Sequence, residues 1–175
     1  RIRLWPFSLR WTVALGVTTF GVLIRIGITR DRVATLDREL ADVVVPEGLT
    51  RWDERWSPLP SLETATLARP IEVVRAAYAF AARRADVLQH IPCYCGCERM
   101  GHRSNAYCYL KGGIGGDRPA WDTQSYHCSV CLDVTRQVMQ LYATGRSVAD
   151  IRDAIDARYV PIYGAGTPTP RPSSQ

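Results

Sequence analysis

Residues 90–102 read HIPCYCGCERMGH, which places three cysteines, each two residues apart, at positions 93, 95 and 97. All six cysteines and all three histidines of the 175-residue chain fall between His90 and Cys131. Cysteines that serve only as small apolar core residues would be scattered along the chain. The clustering therefore indicates one site that needs thiols and imidazoles close together.

Two parts of this region are expected to converge. Alternate residues of an extended segment point to the same side, so Cys93, Cys95 and Cys97 can present their thiols in one direction. Gly96 allows the backbone to fold around an ion. Cys128 and Cys131 are three residues apart at the start of a helix predicted over residues 128–143, and they share its inward face. A helix N-terminus also favours the thiolate form, which is the form that binds metal.

These side chains form the predicted ligand set, in which His102 follows Cys97 by five residues and His127 is adjacent to Cys128. His90 is interpreted as a residue at the end of the preceding helix. Thiolate and imidazole together suit Cu(I), zinc or an iron–sulfur cluster. Structural zinc normally uses two separated ligand pairs, and the Cys-x-x-Cys spacing supplies one. The Cys-x-Cys-x-Cys run is denser than zinc needs and indicates copper or an iron–sulfur cluster, of which copper is favoured. The predicted metal ligands are Cys93, Cys95, Cys97, Cys108, Cys128, Cys131, His102 and His127.

Two other uses of the thiols remain open. Six is an even number of cysteines, and in an oxidising compartment disulfides form readily, so some or all of them can be bridged. Thiol–disulfide exchange by Cys128 and Cys131 is the lesser alternative, because no βαβ pattern surrounds this pair. We recognise no nucleotide-binding loop or hydrolytic set, and we expect a protein that is not an enzyme.

The pattern predicts a mainly helical fold with an irregular Cys-rich loop. Soluble helices are expected over 71–89, opened by Pro70, over 128–143, and from Ser147 to the region before Pro161. Ser147 and Asp150 resemble an N-terminal capping arrangement. The segment 47–60 is a Pro-containing linker whose two tryptophans need a surface to cover them.

The N-terminus predicts an uncleaved membrane anchor over residues 1–28. Residues 11–24 are uncharged and largely apolar, and the pattern extends to Ile28 if Arg25 reaches the interface. A cleaved signal peptide and a buried helix are the alternatives. A signal-like start followed by a large domain favours an extracytoplasmic location. The predicted division is an anchor at 1–28, an amphipathic helix and linker at 29–66, a Cys-rich domain at 67–160 and a flexible tail at 161–175.

The predicted partners are a membrane and other subunits of a membrane complex. Val33, Leu36, Leu40 and Val43 form a short apolar stripe on a helix predicted over 29–45. Two interpretations of that helix remain open. It packs on its own domain, or its residues 33–43 contact a partner subunit, as does the C-terminal tail. The net charge of +5 does not indicate nucleic-acid binding, because arginines alternate with acids and form no basic run.

The chain resembles the bacterial PCYCGC-motif proteins. The resemblance rests on Pro92 to Cys97, on Gly101, His102, Ser104, Asn105 and Cys108, and on His127-Cys128-x-x-Cys131, and it covers about residues 70–160. Members of that family look like exported proteins, often lipoproteins, so the resemblance implies an extracytoplasmic domain. This sequence has no cysteine near residue 1 to be lipidated, which favours a protein anchor.

The sequence therefore predicts a membrane-anchored extracytoplasmic metal-binding protein. Its expected roles are copper storage, copper delivery or the assembly of a respiratory enzyme. The alternative is a structural accessory subunit whose small domain is held together by disulfides or metal.

Overall fold

The structure is a computed structural model, and it describes residues 31, 34–36, 38–40 and 42–173. The chain divides into two units, Arg1–Arg38 and Glu39–Gln175, and the second contains every cysteine. The predicted membrane anchor at 1–28 lies outside the described residues. Among the residues that are described, no helix combines the length and the apolar character needed to cross a membrane.

The second unit is mainly helical. Its α-helices are α1 (Glu47–Thr50), α2 (Ile71–Arg83), α3 (Ala85–Leu88), α4 (Ser129–Ala143) and α5 (Val148–Tyr163). Short 3₁₀ turns replace regular helix between α3 and α4, at Cys97–Met100, Asn105–Cys108, Lys111–Gly113 and Gln124–His127. In the described part of the chain, strand-like pairing is limited to one antiparallel bridge between Leu110 and Trp121. The predicted helical fold with an irregular Cys-rich segment is confirmed.

The two long C-terminal helices begin within one residue of the predicted positions, Cys128 and Ser147. Cys128 is the N-cap of α4, and its sulfur accepts a hydrogen bond from the Cys131 amide at 3.4 Å. Ser147 is the N-cap of α5, accepting from the Asp150 amide at 3.2 Å and donating to the Asp150 carboxylate at 2.6 Å. Ser147 therefore caps α5 as predicted, with Asp150 at the position that a capping box gives to Glu.

Two helix boundaries differ from the prediction. The helix expected over 71–89 is interrupted at Arg84, whose φ of −128° and ψ of 40° are not helical. Helix α5 continues through Pro161 to Tyr163. A proline removes one hydrogen-bond donor, and here the turn is closed beyond it by the Gly164 amide, which donates to the Val160 carbonyl at 2.9 Å.

The helix predicted over 29–45 is shorter in the structure. The described residues from 31 to 40 are helical, and residues 43–46 are not. Leu36 and Leu40 of the predicted stripe are buried, while Val33 lies outside the described residues. Within the second unit, Gln140 donates to the Leu40 carbonyl at 3.1 Å, so this end of the stripe lies against helix α4 of its own domain.

Aromatic side chains fill the core beside the cysteine region. Tyr78 of α2 contacts the rings of Tyr109, Trp121 and Tyr126 at centroid distances of 5.1, 5.7 and 5.4 Å. The linker tryptophans pack on the same group, with Trp52 at 5.3 Å and Trp56 at 5.8 Å from Trp121. The two linker tryptophans therefore pack on the aromatic core, which provides the surface that the sequence predicts for them.

The C-terminal segment differs most from its prediction. The sequence predicts a flexible tail over 161–175, whereas residues 164–173 lie along the cysteine loop. The Thr167 amide donates to the Cys93 carbonyl at 2.9 Å, and the Cys93 amide donates to Thr167 Oγ1 at 2.9 Å. A Cβ on Gly166 would lie 2.8 Å from the Cys93 carbonyl oxygen, so the close approach requires glycine. We call residues 164–173 the C-terminal strap.

Candidate metal centre

The cysteine loop is bent by two glycines rather than extended. Gly96 and Gly101 have φ values of 79° and 83° and bracket the 3₁₀ turn Cys97–Met100. Side-chain-bearing residues rarely adopt this left-handed conformation, so each turn depends on glycine. The bend at Gly96 lets Cys95 and Cys97 turn their thiols toward each other, with their sulfurs 2.8 Å apart.

The other three cysteines arrive from two further elements. Cys108 closes the 3₁₀ turn Asn105–Cys108, and Cys128 and Cys131 belong to the N-terminus of α4. The Cys131 sulfur lies 3.2 Å from that of Cys108, 3.4 Å from that of Cys95 and 3.8 Å from that of Cys93. The predicted convergence of the loop and the helix N-terminus is what the structure has.

The six sulfurs fall into two overlapping groups in which all ligand atoms lie within 4.8 Å of one another. The first group, which we call the four-thiol group, is almost fully buried. The second, the three-thiol group, reaches toward the surface, since Cys95 and Cys128 are partly exposed. Cys131 belongs to both. The four-thiol group is Cys93, Cys97, Cys108 and Cys131, and the three-thiol group is Cys95, Cys128 and Cys131.

All six cysteines are free thiols in the structure. Their sulfur–sulfur contacts run from 2.8 Å, between Cys95 and Cys97, to 3.8 Å, between Cys93 and Cys131. A disulfide bond would bring two sulfurs to about 2.05 Å. The arrangement is therefore a cluster of separate sulfur donors that can hold a metal ion.

The histidines lie outside both groups. His102 is buried at the edge of the cluster, with Nδ1 3.7 Å from the Cys108 sulfur. His127 is exposed, and its ring contacts Tyr126. His90 Nδ1 lies 3.2 Å from the Pro170 carbonyl of the C-terminal strap. Of the eight predicted ligands, the structure brings together the six cysteines, with His102 beside them and His127 turned away.

Hydrogen bonds among the thiols divide them by acidity. Hydrogen bonds from Cys108 and Cys131 lower the pKa of Cys97 to about 4, and those from Cys131 and Cys95 lower the pKa of Cys128 to about 3. The pKa of Cys93 is also lowered, first by its hydrogen bond from Cys108. Conversely, hydrogen bonds to Cys108 and Cys128, together with burial, raise the pKa of Cys131 well above its usual range. The cluster thus contains both thiolates and protonated thiols, and the binding of a metal cation would release the protons of the thiols.

A buried hydrogen-bond chain fixes the backbone around the cluster. The Tyr109 hydroxyl donates to the Cys131 carbonyl at 2.9 Å and lies 2.7 Å from Thr135 Oγ1. Thr135 donates to the side-chain oxygen Asn105 Oδ1 at 2.7 Å, and the backbone amide of Asn105 donates to the Ile91 carbonyl at 2.7 Å. These hydrogen bonds connect the backbone just before the PCYCGC motif, the Cys108 turn and α4. They therefore orient the cysteine ligands, as supporting residues do in metal sites.

Sequence reasoning did not identify Tyr109, Thr135 or Thr167 as supporting residues of the site. Asn105 was noticed only as part of the family resemblance. No spacing rule finds such residues, because each acts through contacts across 22 to 74 positions of sequence.

The fold and the site together define a small helical domain built around a buried cluster of cysteines. A family model described as "Protein of unknown function with PCYCGC motif" matches residues 59–172, and the chain belongs to that family. The matched region extends beyond the predicted domain of 67–160 at both ends and includes most of the C-terminal strap. No curated protein and no solved structure matches the chain.

Proposed function

We propose that this protein is a membrane-anchored, extracytoplasmic metal-binding protein that holds Cu(I) through its six cysteines, for copper handling or for the assembly of a respiratory complex. The observation that carries the proposal is the convergence of six free thiols, drawn from three elements, at one largely buried site.

The sulfur spacing supports metal binding. A tetrahedral ion with metal–sulfur bonds of about 2.3 Å holds its ligands about 3.8 Å apart. Within the four-thiol group, the Cys93 sulfur is 3.8 Å from that of Cys131 and 3.6 Å from that of Cys108. These two distances are close to the edge of such a tetrahedron, and the 3.2 Å between the sulfurs of Cys108 and Cys131 would have to widen by about 0.6 Å to admit an ion.

The donor set supports a soft metal and favours copper. Both groups consist of sulfur donors, which select Cu(I), zinc or iron–sulfur clusters over magnesium or calcium. Structural zinc almost always takes four ligands, and the three-thiol group supplies three. Cu(I) accepts three thiolates in a plane, so one ion type can occupy both groups.

The proposed location of the protein, anchored in a membrane with its cysteine domain outside the cytoplasm, is inferred from the sequence alone. The uncharged segment at residues 11–24 and the resemblance to exported proteins support a membrane anchor with the cysteine domain outside the cytoplasm.

A structural accessory subunit is the second candidate, and one observation favours it. The end of α5 exposes apolar side chains, with Val160, Ile162 and Tyr163 at 39%, 69% and 48% exposure. Such a patch suits a partner subunit. In that case, extraction in mild detergent should recover the protein within a larger assembly, and a free monomer would argue against it.

Elemental analysis of the natively purified protein, with thiols counted after denaturation, tests the proposal. We expect copper at one or more equivalents per chain, and six thiols once the metal is removed. Cys108→Ser should lose at least half of this metal, because Cys108 is fully buried and belongs to the four-thiol group. His127→Ala, which changes an exposed histidine of the same region, should retain it.

Two results would contradict metal binding. A protein without metal and without free thiols would contain three disulfides, and the structural role would then be preferred. A metal content that is the same in Cys108→Ser and in the unaltered protein would show that the metal is held elsewhere.

A further inference from the structure

We infer that the site is polynuclear: two thiophilic d10 ions, such as Cu(I), Zn²⁺ or Cd²⁺, are held side by side and bridged by the Cys131 thiolate. The inference rests on the proposed function and adds the number of ions and the way they are joined. The two sulfur groups share Cys131 and no other residue, which is the observation that carries it.

One ion cannot use all six thiols. An ion bound by the four-thiol group has a complete tetrahedral set of ligands, which leaves Cys95 and Cys128 without metal. Yet these two sulfurs and that of Cys131 lie within 4.8 Å of one another and form a second ligand set. A thiolate has three lone pairs, so the Cys131 sulfur can donate to one ion in each group.

The position of Cys131 suits a bridging ligand. It is buried, and its sulfur contacts Cys108 and Cys93 of one group at 3.2 and 3.8 Å and Cys95 of the other at 3.4 Å. Both the backbone N–H and the backbone carbonyl of Cys131 are hydrogen-bonded, because the amide donates to Cys128 Sγ and the carbonyl accepts from the Tyr109 hydroxyl. The sulfur is thus fixed between the two groups.

Charge also favours more than one ion. Six thiolates carry six negative charges, and buried charge is costly unless it is compensated. A single divalent ion would leave a charge of about −4 and two would leave about −2, whereas with Cu(I) the corresponding charges are about −5 and about −4. The N-terminus of α4 adds only about half a positive charge beside Cys128 and Cys131. A second ion therefore reduces the remaining negative charge, by about two units if it is divalent and by about one if it is Cu(I).

Cadmium NMR tests the bridge directly. The full-length protein, reduced and kept anaerobic in mild detergent, is loaded with ¹¹³Cd²⁺, and its stoichiometry is measured by native mass spectrometry. We expect two ions per chain and two ¹¹³Cd signals in the thiolate region. Each signal should be split by the other, because scalar coupling between two cadmium nuclei passes through a shared sulfur.

Variants assign the two signals to the two groups. In Cys128→Ser, which alters the three-thiol group alone, we expect one ion, one signal and no splitting. Cys95→Ser provides a second variant with the same expected result if Cys128→Ser, an altered helix N-cap, fails to fold. His127→Ala should keep two ions and the splitting, because its side chain is exposed and belongs to neither group.

The outcomes separate this inference from the proposed function. One ion per chain, unchanged in Cys128→Ser and Cys95→Ser, would overturn the polynuclear site and leave metal binding intact. Two ions without mutual splitting would overturn the bridge. A protein that binds no cadmium and no Cu(I) would overturn both proposals.

Discussion

Removal of the bound metal is expected to lower the melting temperature of the protein by at least about 10 °C. A ligand present at a thousand times its dissociation constant stabilises the folded state by about 4 kcal/mol, and soft metals bind polythiol sites tightly. The metal would join the N-terminus of α4 to the cysteine loop and the Cys108 turn, and these last two are irregular or 3₁₀. Thermal unfolding followed by circular dichroism, with and without a Cu(I) chelator under reducing conditions, measures the shift.

Cys131→Ser provides the matched control for metal removal. Because Cys131 belongs to both sulfur groups, this variant should bind metal poorly, and the chelator should leave its melting temperature unchanged. Equal melting temperatures of the unaltered protein before and after the metal is removed would contradict a metal that holds these elements together.

Arg152→Ala is expected to destabilise the domain by about 2–4 kcal/mol, because it removes the better-buried arginine partner of Asp156 and leaves two backbone carbonyls without this donor. The Arg152 side chain is 9% exposed and pairs with Asp156 at 2.9 Å. It also donates to the carbonyl of His90, just before the cysteine motif, at 2.9 Å, and to that of Thr169 in the C-terminal strap at 3.3 Å. One guanidinium thus connects α5, the motif and the strap.

Arg171→Ala is the matched control, since Arg171 pairs with the same carboxylate. Its side chain is 60% exposed and lies 3.1 Å from Asp156, so its loss should cost less than about 1 kcal/mol. Urea unfolding measures both variants. Hydrogen exchange of the Thr167 amide, which donates to Cys93, should accelerate in Arg152→Ala alone. Similar losses of stability in the two variants would contradict the role of Arg152.

Local rules predicted the helices and the convergence of thiols well. The start of α5 follows from its capping residue Ser147, whose hydrogen bond spans three residues, while the cap that Cys128 provides to α4 is seen only in the structure. The meeting of the cysteine loop with α4 follows from the spacing of Cys128 and Cys131 on one helical face. Such signals are short in range, and sequence patterns report them directly.

The C-terminal strap could not be predicted in the same way. Residues 164–173 contain Gly, Thr and Pro, with little apolar surface to bury, which is typical of a disordered tail. They are held instead by hydrogen bonds to distant backbone groups of the motif, and Thr167 and Thr169 are buried. Long-range pairing of this kind leaves no periodic pattern in the sequence.

A histidine that is close to a cysteine in the sequence is not necessarily positioned to share its metal ion. His127 precedes Cys128 directly, yet it ends a 3₁₀ turn and points to solvent while the cysteine caps α4. His102 follows the Gly101 turn and comes close to Cys108 without entering either sulfur group. Proximity in sequence fixes the position of a backbone, but the turn type decides where its side chain points.

X-ray absorption at the metal edge of the natively purified protein tests the central claim most directly. The structure predicts a first shell made of sulfur alone, with three to four sulfurs per ion at about 2.3 Å. A first shell of nitrogen or oxygen ligands would contradict a metal held by these six cysteines.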